Sequence, residues 1–245
     1  MSVDAHCHVD LHPNPQQIVD LAVSSKLRVV AVTTTPAAFK GSVKFSDSTN
    51  SVFPALGMHP ELIATRQKDM VLFEKYLDQV TWVGEVGLDG SQRFRSSWNN
   101  QVAVFEEILK QCARAGGKIL SIHSRSASCE VVELIRKNRE AGEFVLHWFS
   151  GSLKEVDLAV ELGAYFSIND QMLKSKSGVA ICRRIPADRL LTESDAPFAQ
   201  GDVGQSLVER IQCCVSELAT IHRCSDSDLN NQVDSNFATL ISAYT

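Results

Sequence analysis

Val3-Asp4-Ala5-His6-Cys7-His8 is a short run that opens apolar and ends in two imidazoles one residue apart. An extended strand sends residues i and i+2 to the same side, so His6 and His8 share one face while Cys7 points to the other. Working outward, comparable runs recur at Leu27–Thr33, Ser51–Met58, Thr81–Val86, Lys118–His123, Phe144–Phe149, Tyr165–Ile168 and Arg189–Thr192. They are four to eight residues long and rich in Val, Ile, Leu or Phe, as strands covered on both faces are.

Between most of these runs the spacing changes to that of helices. Pro13-Asn14-Pro15 opens one helix, with Ile18, Val19, Ala22 and Val23 on a common face. Asn99–Ala115 carries Val102, Phe105, Ile108, Leu109 and Cys112 on another face, and Gly116-Gly117 ends it. Cys129–Asn138 and Ser152–Leu162 continue the pattern, the second capped by Ser152 and followed by Gly163. Gly204–Ile221 and Asp226–Ala243 read as two closing helices. Eight strand–helix units in 245 residues average about thirty residues each, the rhythm of a (β/α)8 TIM barrel. An open doubly wound sheet is the alternative, because strand order is not written in one sequence. No Pro/Gly/Ser linker or composition shift interrupts the chain, so a single domain over 1–245 is expected.

A hydrophobic fraction of 44% with 22% charged residues is that of an ordinary globular protein. No run approaches the roughly 20 apolar residues of a membrane-spanning helix. The opening Ser2-Val3-Asp4-Ala5-His6 has no basic or apolar leader, and a cytoplasmic place is expected. The seven cysteines are scattered without a CxxC pair, which argues against a disulfide framework and a thiolate zinc site. The net charge of −5 provides no general electrostatic footprint for DNA. A nucleic-acid substrate would have to be held by a few basic residues and by metal ions.

The polar residues fall at strand ends. His6 and His8 end the first run, Glu85 the fourth, His123 the fifth and His147 the sixth; Asp195 follows the eighth. In a barrel these ends converge on the C-terminal mouth, where such enzymes keep their active sites. A lone histidine at a strand end is more often a structural hydrogen-bonding residue. Four histidines and two carboxylates at one rim instead suit one or two divalent cations. His59, in Met58-His59-Pro60, either contacts substrate or is structural, and Arg125 is positioned for a phosphate contact. Glu193 is expected to orient a ligand or a water rather than pair with an arginine. His12 and His222 lie outside the pattern and read as surface residues.

Taken together, these blocks resemble the TatD family of metal-dependent deoxyribonucleases, within the amidohydrolase superfamily. The resemblance runs from Asp4-Ala5-His6-Cys7-His8 through Gly57-Met58-His59-Pro60 and Gly84-Glu85-Val86-Gly87-Leu88-Asp89. It continues in Ile122-His123-Ser124-Arg125, His147-Trp148-Phe149-Ser150-Gly151 and Glu193-Ser194-Asp195-Ala196-Pro197, with Gln101 and Phe105 fitting the helix after the fourth strand. It implies metal-ligand roles for His6, His8, Glu85, His123, His147 and Asp195, and a DNA substrate cut at single strands or ends.

The departures are Ser194 where the family has Thr, Glu61 after His59-Pro60, a compressed loop after Asp89, and a segment Phe198–Gly204 without the usual basic stretch. Shortened chains of this kind resemble components of Qat-type anti-phage operons, which implies protein partners from the same operon; a monomer or weak oligomer is expected. In the expected chemistry, one cation sits with His6, His8 and Glu85 and a second with Glu85, His123 and His147. Mg²⁺, Mn²⁺ and Zn²⁺ all suit such ligands. Asp195 and Glu85 are the catalytic candidates, with Asp195 taking the proton of the attacking water. The same centre would equally serve an amidohydrolase or deacylase acting on a small molecule or modified base.

Overall fold

The structure is a computed structural model that describes residues 1–46, 51–199 and 206–244. Eight strands, β1 (Ser2–Cys7), β2 (Leu27–Ala31), β3 (Val52–Leu56), β4 (Trp82–Gly87), β5 (Lys118–His123), β6 (Gly142–His147), β7 (Tyr165–Ile168) and β8 (Leu190–Thr192), pair in sequence order. Every neighbouring pair is parallel. The first and last strands meet through the segment that follows β8. His8 N–H donates to the Ala196 carbonyl and Asp195 N–H to the His6 carbonyl, both at 2.9 Å. Below them the Thr192 hydroxyl donates to the Val3 carbonyl. The sheet therefore curls into a (β/α)8 barrel, and the open-sheet alternative is excluded.

The helices are α1 (Pro15–Ser25), α2 (Pro36–Ser42), α3 (Ile63–Arg66), α4 (Met70–Tyr76), α5 (Trp98–Arg114), α6 (Ser128–Lys137), α7 (Leu153–Glu161), α8 (Asp170–Leu173), α9 (Lys176–Arg184), α10 (Leu207–His222) and α11 (Asp226–Ser242). Their starts follow from local chemistry. Ser152 and Ser206 each form a capping box, with Glu155 and Glu209, which satisfies backbone N–H groups that the first turn leaves free. Gly116 and Gly117 leave α5 with φ of 80° and 89°. The expected start of α10 at Gly204 lies outside the described residues. The short helices α2, α3, α4 and α8 are not marked by the sequence pattern, because one or two turns give too few residues for an apolar face to repeat, and α9 is not marked either.

Two strands stop earlier than their apolar runs, and the reason bears on the site. Thr33 and Met58 leave the ladder: Thr33 N–H donates to the Gly84 carbonyl, Glu85 N–H to the Thr33 carbonyl and Met58 N–H to the Glu85 carbonyl, at 3.0, 3.0 and 2.9 Å. The upper ends of β2 and β3 thus clasp the neighbouring β4 at the mouth. Likewise β6 ends at His147 because Trp148 turns to φ 38°.

The opposite end is closed by α11. Phe237 is fully buried, stacked on Trp82 with ring centroids 5.6 Å apart and covered by the Arg28 guanidinium at 4.5 Å. Asn236 Nδ2 donates to the Ala187 and Leu190 carbonyls at 2.9 and 2.8 Å. Phe237→Ala is expected to lower the unfolding free energy by about 3–5 kcal/mol, through lost burial and the cavity left behind. Urea denaturation checks this, and a loss below about 1 kcal/mol would show that α11 does not seal the barrel.

Candidate metal centre

His6, Glu85, His123 and His147 sit at the C-terminal ends of β1, β4, β5 and β6, while His8, His59 and Asp195 lie on the loops after β1, β3 and β8. The barrel brings all seven to one mouth, centred on the buried Glu85 carboxylate. Its Oε2 lies 3.5 Å from His6 Nε2 and 3.2 Å from His8 Nε2. Its Oε1 lies 2.7 Å from His123 Nδ1, 3.2 Å from His59 Nε2 and 3.3 Å from His147 Nε2. Asp195 Oδ1 completes the first side, 3.8 and 3.7 Å from the Nε2 atoms of His6 and His8.

Close packing holds Glu85 in this place. Gly57 lies between Thr33 and Glu85, where a Cβ would come within 1.6 Å of the Thr33 carbonyl oxygen and 2.7 Å of Glu85 N. Only glycine leaves room for the Glu85–Thr33 backbone bond. Asp195 adopts a left-handed conformation, φ 46°, that turns it from the end of β8 into the mouth. Aspartate tolerates that region better than most residues, and such strain gathers at functional sites.

A further set of side chains orients the rings. The ring of His6 contacts the Ser121 hydroxyl through Nδ1, 2.7 Å. His123 Nε2 faces Asp89 Oδ2 at 3.1 Å, and His147 Nδ1 faces Glu193 Oε1 at 3.1 Å. Glu193 is itself held by the Ser167 hydroxyl and by Asn169 Nδ2. Glu193 therefore meets a histidine, as expected of it, and no arginine pairs with it among the described residues. Asp89 and Ser121 carry no role in the sequence reading; their signal is that each lies one or two residues from a strand end. Asp4, buried in β1, accepts from Ser194 N–H at 2.9 Å and from His6 N–H at 3.3 Å, so one carboxylate registers both ligand-bearing segments.

His59 behaves differently from the other imidazoles. Its Nδ1 accepts from Glu61 N–H at 3.2 Å, so in the neutral ring the proton sits on Nε2, which faces Glu85. This makes it a hydrogen-bond donor to an anion, although its ring nitrogen is also close enough to Glu85 and His123 to share an ion with them. Neither His12 nor His222 is a simple surface residue. His12 is half-buried near Cys7 Sγ, and the half-buried His222 donates from Nε2 to the Cys182 carbonyl at 3.1 Å.

Charge is unevenly distributed over the cluster. Burial drives the His6 imidazole down to about 3, leaving it neutral with a free lone pair. Burial, reinforced by Glu85 and Glu193, pushes the Asp195 carboxyl up to about 8 against the pull of His147. Burial would also raise Glu85, but the His59 and His6 imidazoles beside it and the bonds from His123 and His147 hold it well below the carboxylate range. His123 rises to about 8 despite burial, because Asp89 and Glu85 flank it, and Glu193 overcomes burial to raise His147 well above its ordinary value.

These residues fit divalent cations. His6 Nε2, which faces Glu85 and Asp195, is buried without a hydrogen-bond partner, an expensive condition unless an ion uses its lone pair. Ligand atoms about 2.1 Å from a tetrahedral or octahedral cation lie roughly 3.0–3.4 Å from one another. The 3.2–3.8 Å separations around Glu85 Oε2 and Asp195 Oδ1 are close to that spacing. Three compact ligand groups overlap here: His6–Glu85–His147, His6–His8–Asp195 and His59–Glu85–His123. His147 is thus shared between the sides rather than grouped with His123 alone. Above the centre opens a cavity of about 670 Å³ whose lining includes Leu62, Arg125, Trp148 and Phe198.

An eight-stranded barrel with an imidazole–carboxylate centre at its C-terminal mouth defines a metal-dependent hydrolase. The TatD-related DNase profile matches residues 3–242. The chain belongs to that family. It is 27% identical over 213 residues to the mouse putative deoxyribonuclease TATDN3, covering 80% of this chain and 72% of the relative. It is 38% identical over 124 residues to the Edwardsiella piscicida 3'-5' ssDNA/RNA exonuclease TatD, covering 49% and 46%. The crystal structure of YJJV, a TatD homologue of Escherichia coli, superposes with a TM-score of 0.87 at 22% identity, over 98% of this chain and 97% of that one.

His123 and Asp195 hold protons near neutrality that a bound cation must displace. Groups with raised values shed protons only as pH rises, so affinity for Mn²⁺ is expected to increase between about pH 6 and 8, with proton release on binding. Calorimetric titration in buffers of different ionisation enthalpy measures both quantities. Affinity that is flat with pH, without proton release, would rule out these two side chains as ligands.

Proposed function

We propose that this chain, acting as one barrel domain over 1–245, hydrolyses phosphodiester bonds of DNA using two divalent cations. The ligands in this reading are His6, His8, Glu85, His123, His147 and Asp195, and the ions are Mg²⁺, Mn²⁺ or Zn²⁺. The observation that carries it is the division of the Glu85 carboxylate, with Oε2 facing His6 and His8 and Oε1 facing His123 and His147. A carboxylate so placed serves as a bridge between two ions. When bound, such cations lower the pKa of water and offset charge on a phosphoryl oxygen.

The chain's own residues do the rest. Asp195 is the proton acceptor, since its carboxylate lies at the centre with Oδ1 3.8 and 3.7 Å from the His6 and His8 ring nitrogens, beside the place a water would be held. His59 donates from Nε2 to a phosphate oxygen in place of Glu85, and Arg125, exposed at the rim, clamps another oxygen. Asp89, Ser121 and Glu193 keep the rings in one orientation. That both His59 and Arg125 line the cavity favours a phosphodiester over the amide or ester bond of a small molecule. The names of the mouse and Edwardsiella relatives support the same substrate class.

This reading places the protein in the cytoplasm, as a monomer or weak oligomer. It also places it with protein partners from one operon in anti-phage defence; loss of phage protection with His8→Ala tests that role, and undiminished protection removes it. The hydrolysis itself is tested with labelled single- and double-stranded DNA. Cleavage with Mg²⁺ or Mn²⁺ is expected to fall at least about 100-fold in His8→Ala and Asp195→Ala. Metal binding without cleavage of any DNA would leave the centre standing and remove DNA as the substrate.

A further inference from the structure

The mouth has two unlike lips. In a barrel of eight strands in sequence order, the loop after β8 lies across from the loops after β4 and β5. On the β8 lip, Phe198 is 59% exposed, with its ring edge-on to His8 at 4.9 Å between centroids. On the other lip, two loops abut. Gly90 N–H donates to the Arg125 carbonyl at 2.9 Å, and a Cβ on Gly90 would come within 2.2 Å of the Ser126 carbonyl oxygen. These loops carry Arg93, Arg95 and Arg125, all exposed.

The arginine-bearing turn is braced from below. Gln101, fully buried, accepts from Asp89 N–H at 2.8 Å and donates to the Phe94 carbonyl and the Ser97 hydroxyl. Asp89 accepts from Ser91 N–H at 2.8 Å with one oxygen and meets His123 with the other, which ties the turn to the metal centre. Among the described residues, Arg93, Arg95 and Arg125 have no carboxylate partner. Elsewhere Arg66, Arg114, Arg136 and Arg184 are paired with Asp69, Glu107, Glu133 and Asp157, while the exposed Arg139, Arg183 and Arg223 stand singly on the outer surface. Arg93 lies over the Phe94 ring at 5.1 Å from its centroid, so these are three guanidiniums without a carboxylate on one rim, in a chain of net charge −5, and they form a local site for several anions in a row.

Resting on the hydrolysis reading above, we propose that Arg93 and Arg95 extend Arg125 into a track for the phosphates of a single strand, while Phe198 stacks its terminal base. Every base has a π-face, so Phe198 reads position rather than sequence. Its contact with His8 leaves little more than one nucleotide between it and the metal centre. A cavity of about 670 Å³ is the size of a small-molecule pocket, so a frayed end enters and a duplex does not. The strand then crosses from Phe198, over the ligands, to the arginines, and the products are mononucleotides.

The test uses labelled oligothymidylates of two to six nucleotides and measures both binding and cleavage in the full chain. For wild type, kcat/KM should rise with length as phosphates reach the track. In R93A/R95A that rise should flatten, and the slope of log affinity against log salt should become shallower by about 1.4, or about 0.7 per lost phosphate contact on a single strand. Phe198→Ala should raise KM by about 10-fold or more, while Phe198→Trp restores it. The double variant R114A/R136A, with the same two-charge change on outer helices, controls for net charge and should leave the slope in place. Unchanged length dependence and salt slope in R93A/R95A would overturn the track, whether or not DNA is cut. Arginine-dependent binding without cleavage by wild type would keep the track and refute the hydrolysis reading.

Discussion

Everything at the mouth depends on one buried anion. Glu85 is 2% exposed, and placing a carboxylate there costs several kcal/mol unless cations or hydrogen-bond donors surround it. Five imidazoles do so, from β1, β5, β6 and the loops after β1 and β3. Protons and divalent cations are alternative partners for this same carboxylate: the flanking carboxylates favour the protonated rings of His123 and His147, while burial keeps His6 neutral. A hydrophobic plug would give a more stable barrel top. The fold accepts the cost because the cluster is the working part.

The barrel seam is where the fold and the centre become the same problem. His6 and Asp195 stand 189 positions apart in the sequence, yet their backbones bond directly, and Asp4 ties Ser194 to the same strand. Closing the sheet thus assembles the ligand group His6–His8–Asp195 in a single step. Since the last strand is only three residues long, this seam rests less on its ladder than on these polar contacts around it.

Much of this was legible in the sequence. Alternating apolar runs marked all eight strands, and ligand residues stood out because His, Glu and Asp are out of place at the ends of buried strands. Strand order was not legible, nor were the partners that cross the barrel. Ser121 orients His6 from 115 positions away and Glu193 orients His147 from 46, and neither distance leaves a periodic trace. Gly57 shows the same limit: its use is to let the backbones of Thr33 and Glu85, from the strands on either side of β3, touch past its end.

The centre and the rim answer different chemical questions. Imidazoles and carboxylates around shared cations activate water against phosphorus or carbonyl carbon alike, so the centre defines hydrolysis and leaves the bond open. The bond is chosen by the side chains that line the cavity around the centre. There the surface changes character, from fully buried ligands to exposed Arg125 and Phe198 and half-buried His59. Guanidinium and a donor imidazole match the several oxygens of a phosphodiester, whereas an amide carbonyl offers only one acceptor. In a chain of net negative charge, Arg93, Arg95 and Arg125 on one side of the mouth therefore give a polyanion a local reason to bind there.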